Sequence, residues 1–388
     1  MSRRAIVLAV ILLAAIGFVS GRFSRADVPA AITNAPQPAV KAAFKVEVVA
    51  TGLAYPWALQ FLPDGRMLVT ERGGRMRVID RQGVVSPPIE GLPASVAINQ
   101  GGLLDVALDP KFADTRLIYF TFAEPRGSDA NGTSVARARL ELDAGAARLV
   151  DLKIIFRQEP ASTGGLHFGS RLACADDGTL FVTLGERNQR DAAQDLTGHL
   201  GKVVRITTDG GFPADNPTFP GTAAPGIWSY GHRNPQSAAI HPTSRKLWTV
   251  EHGPRGGDEV NVPEKGRNYG WPVIGYGIDY SGAKLHQSTQ KTGMEQPVYV
   301  WAPSIAPTGM AFYIGNRFPA WKGNLFVGAL AGQHLTRLIL DNEKIVAEER
   351  LLADLGERIR DVRNGPDGYL YVLTDNSRGR VLRLVPAP

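Results

Sequence analysis

Three short segments carry the side chains best suited to chemistry. His167 lies in TGGLHFGSRL, between glycines and just ahead of an apolar run. An imidazole ionises near neutral pH and can take or give a proton. Glycines beside it let a ligand approach the backbone closely. A lone histidine can equally be a hydrogen-bonded structural residue. WSYGHRNPQSAAIHP brings Arg233, Asn234 and Gln236 within four positions of a chain-turning Asn-Pro. Their donors could hold an anionic or carbonyl-rich ligand, or simply face water around a turn.

EHGPRGGDEVNVPEKGRNYGWP combines Gly253-Pro254, which can aim carbonyl oxygens outward, with the adjacent carboxylates Asp258 and Glu259. Oxygen donors suit a hard cation such as Ca²⁺, although an acidic pair in a loop is often only solvated. The EF-hand pattern is missing. In GERIRDVRNGPDG, Arg358 and Arg360 are two apart, so a strand places both on one face. Paired guanidinium groups there call for a polyanionic ligand or a salt-bridge network with Glu357 and Asp361. Gln100 stands before Gly101-Gly102 at another loop-to-strand edge, and Trp301 is the tryptophan best placed to wall a ligand.

These segments need a scaffold that gathers distant loops. A turn rich in Pro, Asp and Gly followed by an alternating apolar strand recurs six times, beginning at Pro63, Asp109, Ala175, His241, Pro319 and Gly365. Period-two alternation after such turns marks half-buried strands. Radial closure leaves few exposed edges, and the irregular spacing suits blades carrying insertions. The expected fold is therefore all-β, a single six-bladed β-propeller over residues 44–388, with a sandwich as the alternative.

The 388 residues include 43 Gly and 27 Pro, with 44% hydrophobic and 21% charged residues, which excludes disorder and collagen. Arg3 and Arg4 precede an apolar run from Ala5 to Val19. That run reads as a signal peptide or an N-terminal anchor over 1–26, followed by a linker over 27–43. Retained, it would be the only membrane attachment. Four arginines precede residue 27, so removal lowers the formal charge from +6 to about +2 and argues against nucleic acid. The lone Cys174 excludes a disulfide scaffold and reads as a small buried residue. An exported chain without disulfides suits a periplasmic or secreted location.

Taken together, NQGGLLDVALDPKF, GLHFGSRL, GHLGKVVRI, IWSYGHRNPQ, EHGPRGGDEVNVPEKGRNYGWP, APTGMAFY and ERIRDVRNGPDGYLYVLTDN resemble the soluble PQQ-dependent aldose sugar dehydrogenases of the glucose/sorbosone dehydrogenase family. The resemblance runs from about Val46 to Leu384. It implies a six-bladed propeller that holds pyrroloquinoline quinone (PQQ) and Ca²⁺ at the channel mouth, oxidises an aldose at C1 and passes electrons to an external acceptor. By the same resemblance His167 is the base. Arg233 stabilises charge on the reduced quinone, and Gln100, Asn234 and Gln236 contact cofactor or site. Arg358 and Arg360 meet PQQ carboxylates. The Gly253 and Pro254 carbonyls ligate the catalytic Ca²⁺, and Glu259 with the Tyr269 carbonyl a structural one.

Three positions depart from the family's glucose dehydrogenases. His252 replaces a Gln before Gly-Pro, Leu166 an Asp before the catalytic His, and Ala331 a PQQ-binding Lys. The Asp loss leaves the orientation of His167 to another group, and the Lys loss removes a carboxylate partner. Inserts 211–226 and 279–296 are the expected determinants of sugar choice. A Ca²⁺-dependent propeller lactonase and a non-catalytic binding propeller are the competing readings.

Overall fold

Each recurring phrase supplies the second strand of one antiparallel sheet in the computed structural model, which describes residues 32–387 except 40, 42, 144 and 145. The six sheets start from the inner strands Pro56–Phe61, Leu103–Leu108, Gly169–Cys174, Pro235–Ile240, Pro307–Phe312 and Ile359–Asn364. Each inner strand packs beside the next, and the sixth beside the first, so the ring closes as a six-bladed β-propeller. The turn into each second strand needs a left-handed residue. Gly178 supplies it in the third blade (φ +78°), and Arg245 in the fourth (φ +60°).

Six apolar clusters hold the ring together, one at each interface between neighbouring blades. Alternating residues of facing sheets fill them, as the period-two pattern requires. The chain ends close the circle: Phe44–Leu53 is the outermost strand of the sixth blade and pairs antiparallel with Gly379–Pro386. Part of the segment expected to be a linker is docked. Ile32–Thr33 pairs in parallel with Tyr299–Val300, the Ala35 N–H donates to Tyr299 Oη at 2.9 Å, and the Pro36 carbonyl accepts from the Glu348 N–H. Segment 1–26, expected to be a signal peptide or an N-terminal anchor, lies outside the described residues. Among the described residues, no helix is long and apolar enough to cross a membrane.

All six inner strands slip register against their second strands near their first residues, at Pro56/Ala58, Leu103/Val106, Gly169/Leu172, Pro235/Ser237, Pro307/Met310 and Ile359/Asp361. A bulge bends a strand and re-aims its side chains. Six bulges therefore ring one end of the channel, where the loops before first strands and after second strands meet.

Candidate functional site

His167, Gln100, Arg233, Asn234 and Arg358 each stand one to three residues ahead of an inner strand, while Gln236 and Arg360 lie within bulges. This placement converges them. Gln100 accepts the His167 N–H at 2.9 Å, Asn234 Oδ1 accepts the Gly169 N–H and the Gln236 side-chain amide at 3.1 Å each, and Arg360 donates to Gln236 Oε1 at 3.4 Å. A cleft of about 290 Å³ opens among Trp57, Arg72, Gln100, Gln236, His252, Arg358 and Arg360, at the lower end of small-molecule pockets.

His167 holds a left-handed backbone (φ +51°), uncommon for a non-glycine residue and characteristic of functional sites. Its surroundings impose this. Gly185 passes so close that a Cβ there would sit 2.0 Å from the His167 carbonyl. Arg187 donates to the Leu166 and Gly164 carbonyls and fixes the loop from the other side.

The group that orients the ring is Glu186. Its Oε2 lies 2.6 Å from His167 Nδ1 and also accepts the Asn188 N–H. The Nδ1 proton therefore faces the carboxylate, which leaves Nε2 as the acceptor. Burial holds the His167 pKa below the ordinary value of 6.5. Glu186 partly opposes that shift, and Arg233 and Arg187 add to it. The imidazole is thus neutral at neutral pH, as a base must be.

Arg358 and Arg360 do share one side, but a carboxylate outside the sequence reading joins them: Asp375 accepts from Arg358 at 3.2 Å and from Arg360 at 2.9 Å. Buried Arg233 Nε, Asn234 Nδ2 and Arg360 Nε have no partner among the described residues. Each unmet buried donor costs about 1–3 kcal/mol. Three around one mouth fit a ligand rich in acceptors, as PQQ is with its carboxylates and quinone oxygens.

Arg233 also donates from Nη1 to the carbonyls of His252 and Gly253, at 3.0 and 2.8 Å, and packs over Trp271. Beneath it a narrow cavity of about 20 Å³ is lined by Gly253, Pro254, Glu251, Glu259 and Tyr269. That volume admits one water-sized occupant. Glu251 is hydrogen-bonded to His232, the Arg233 N–H and Asn261. Burial, reinforced by the charge of Glu251, pushes Glu259 up to about 8. Paired carboxylates beside backbone carbonyls suit a hard cation, which would relieve the repulsion. Among the described residues, no three His, Cys, Asp or Glu side chains form a metal cluster, so carbonyls would have to complete either ligand set.

His252 is fixed as a donor from Nε2 to the Pro307 carbonyl at 2.8 Å, and burial followed by Arg233 lowers its pKa to about 3. It is therefore a neutral wall of the cleft.

Two expectations fail. Trp301 does not wall the cleft: it is 1% exposed in the core between the fourth and fifth blades, with Nε1 directed at Glu348. Its strand, Tyr299–Trp301, is the fourth of its blade and far out from the channel. Insert 211–226 is tied by Asp215 and Asn216 to Arg205, and none of its residues lines the cleft or the narrow cavity. Insert 279–296 does reach the site region. Asp279 pairs with Arg190 at 2.7 Å, and His286 lines the narrow cavity.

Sequence reasoning missed Glu186, Arg72 and Asp375. All three lie at or just after the ends of second strands, a loop class that reaches the same mouth. With Leu166 in place of the family's Asp, a search of the third blade's other mouth loop would have found Glu186 in LGER.

Residues 53–383 match the family described as Glucose / Sorbosone dehydrogenase. The chain belongs to that family. It is 47% identical over 352 residues to the aldose sugar dehydrogenase YliI of Escherichia coli (strain K12), covering 90% of this chain and 94% of that protein. A crystal structure of a glucose dehydrogenase shares 50% identity at a TM-score of 0.86, covering 89% of this chain and all of that one. The PQQ-bound form of aldose sugar dehydrogenase from Streptomyces coelicolor aligns at a TM-score of 0.73 with 29% identity, covering 89% of this chain and 100% of that one. As a glucose/sorbosone dehydrogenase family member, the protein is a sugar dehydrogenase.

Proposed function

We propose that the protein oxidises the C1 hydroxyl of aldose sugars to the lactone, with PQQ as electron-pair acceptor, Ca²⁺ as its activating cation and His167 as base. The observation that carries this reading is the neutral imidazole held by Glu186 at 2.6 Å beside a cleft of arginines and unpaired donors. When bound, PQQ would supply an electrophilic quinone as hydride acceptor, and a cation beside it would supply Lewis acidity. His167 Nε2 takes the hydroxyl proton while Glu186 holds the ring and stabilises its charged form. Arg233, Asn234 and Gln236 offer donors to cofactor oxygens, and Arg358 and Arg360 supply positive charge for carboxylates. The carbonyls of Gly253 and Pro254 would serve the catalytic cation and Glu259 with the Tyr269 carbonyl a structural one, and the narrow cavity these groups share has room for one of the two. The apolar run behind Arg3 and Arg4 supports export to a periplasmic or extracellular compartment, where an external acceptor would reoxidise the cofactor.

A lactonase would need side chains free to ligate a metal in the channel. The channel carboxylates Asp105 and Asp361 are instead both spent on Arg171 and Arg363. The test mixes apoprotein with PQQ and Ca²⁺ and follows dye reduction across a panel of aldoses, with lactone hydrolysis in parallel. Dye reduction that requires both additions, and that His167→Ala abolishes while PQQ still binds, is expected. Lactone turnover with metal alone, or full activity of His167→Ala, would overturn the reading.

A further inference from the structure

The cleft carries one guanidinium with no assigned task. Arg72 follows the second strand of the first blade and lines the cleft with Arg358 and Arg360. Its side chain makes no ion pair or hydrogen bond with a described residue, and its guanidinium carbon lies 4.9 Å from the centre of the Tyr55 ring. Arg72 nevertheless acts electrostatically on both Arg360 and Asp375. Three arginines thus share a single carboxylate, Asp375, which already pairs with the other two. On the fifth-blade side the lining residues Ala306 and Leu330 are uncharged. The positive charge is therefore concentrated along the first and sixth blades. Like charges held together without a counter-ion are unfavourable, and a bound anion relieves them.

We infer that Arg72 is a third anion-binding guanidinium of the cleft, pairing with a carboxylate of the bound cofactor from the first-blade side. This rests on the PQQ reading above. It also accounts for a cleft that lacks a lysine at Ala331. Arginine suits the task because its planar fork matches a carboxylate.

The test titrates PQQ into apoprotein with Ca²⁺ and reads the quenching of tryptophan fluorescence, Trp57 being part of the cleft wall. Titrations are run at low and high ionic strength. Arg72→Gln should raise Kd about tenfold and flatten its salt dependence, since a charge-assisted contact is lost. The melting temperature of the apoprotein should hardly change, because no ion pair is broken. Tyr55→Leu, which keeps the charge, should stay within about twofold of the wild-type Kd. An Arg72→Gln variant with unaltered Kd and salt dependence would overturn the inference. So would one that fails to fold, or a Tyr55→Leu variant equally impaired, because Arg72 would then act through packing. Wild-type protein that does not bind PQQ at all would instead bring down the cofactor reading itself.

Discussion

Replacing Glu186 with Gln probes the arrangement on which turnover depends. In the wild type, Oε2 takes both the His167 Nδ1 proton and the Asn188 N–H, at 2.6 Å each, while Oε1 is buried and unpaired. An amide has one acceptor atom. If that atom keeps the two bonds, the NH₂ group occupies the buried, unpaired position. If the amide flips, NH₂ faces Nδ1 and forces the tautomer in which Nε2 carries the proton and cannot accept one. A hydrogen bond to a charged group is worth about 1.5–3 kcal/mol. With about 1.4 kcal/mol per tenfold, kcat/KM should fall roughly 10- to 150-fold. The pH profile gives a second, independent signature. Burial lowers the His167 pKa, and Glu186 is the neighbour that raises it through its hydrogen bond and charge. Without that carboxylate the pKa falls further, so the acid limb of kcat/KM moves to lower pH even as the plateau drops. Dye-linked kinetics from about pH 4 to 8, at saturating PQQ and Ca²⁺, measure both, and PQQ affinity should be unchanged. A plateau within twofold of wild type, or an acid limb displaced upward, would refute the orienting role.

Burial raises Glu259 to about 8, so metal-free protein should lose stability as pH rises from about 5 to 8, because the native state holds a proton that the unfolded chain releases. Glu259→Gln should flatten that slope in thermal unfolding, and Ca²⁺ should raise Tm in the wild type far more than in the variant. Trp301→Ala should cost about 3–5 kcal/mol in chemical denaturation, as the loss of a buried tryptophan does, yet leave PQQ affinity intact because the ring does not face the cleft.

Six turn-and-strand phrases carried the architecture, since period-two alternation and left-handed turns are local properties that each stretch of chain satisfies within itself. The same is true of residues ahead of inner strands, so His167, Arg233, Asn234 and Arg358 were legible as a group. Glu186 was not, because its partnership with His167 spans 19 residues and depends on Gly185 letting two loops touch. Trp301 misled because an aromatic residue near a Pro-rich loop reads alike whether its strand is inner or outer, and strand order is fixed only when the blade assembles. Side-chain types and local turns thus settled what the chain could build and which groups could react. Closure of the ring and the bulge at each inner strand decided which of those groups meet, because only packing between blades brings residues from all parts of the chain within hydrogen-bond distance.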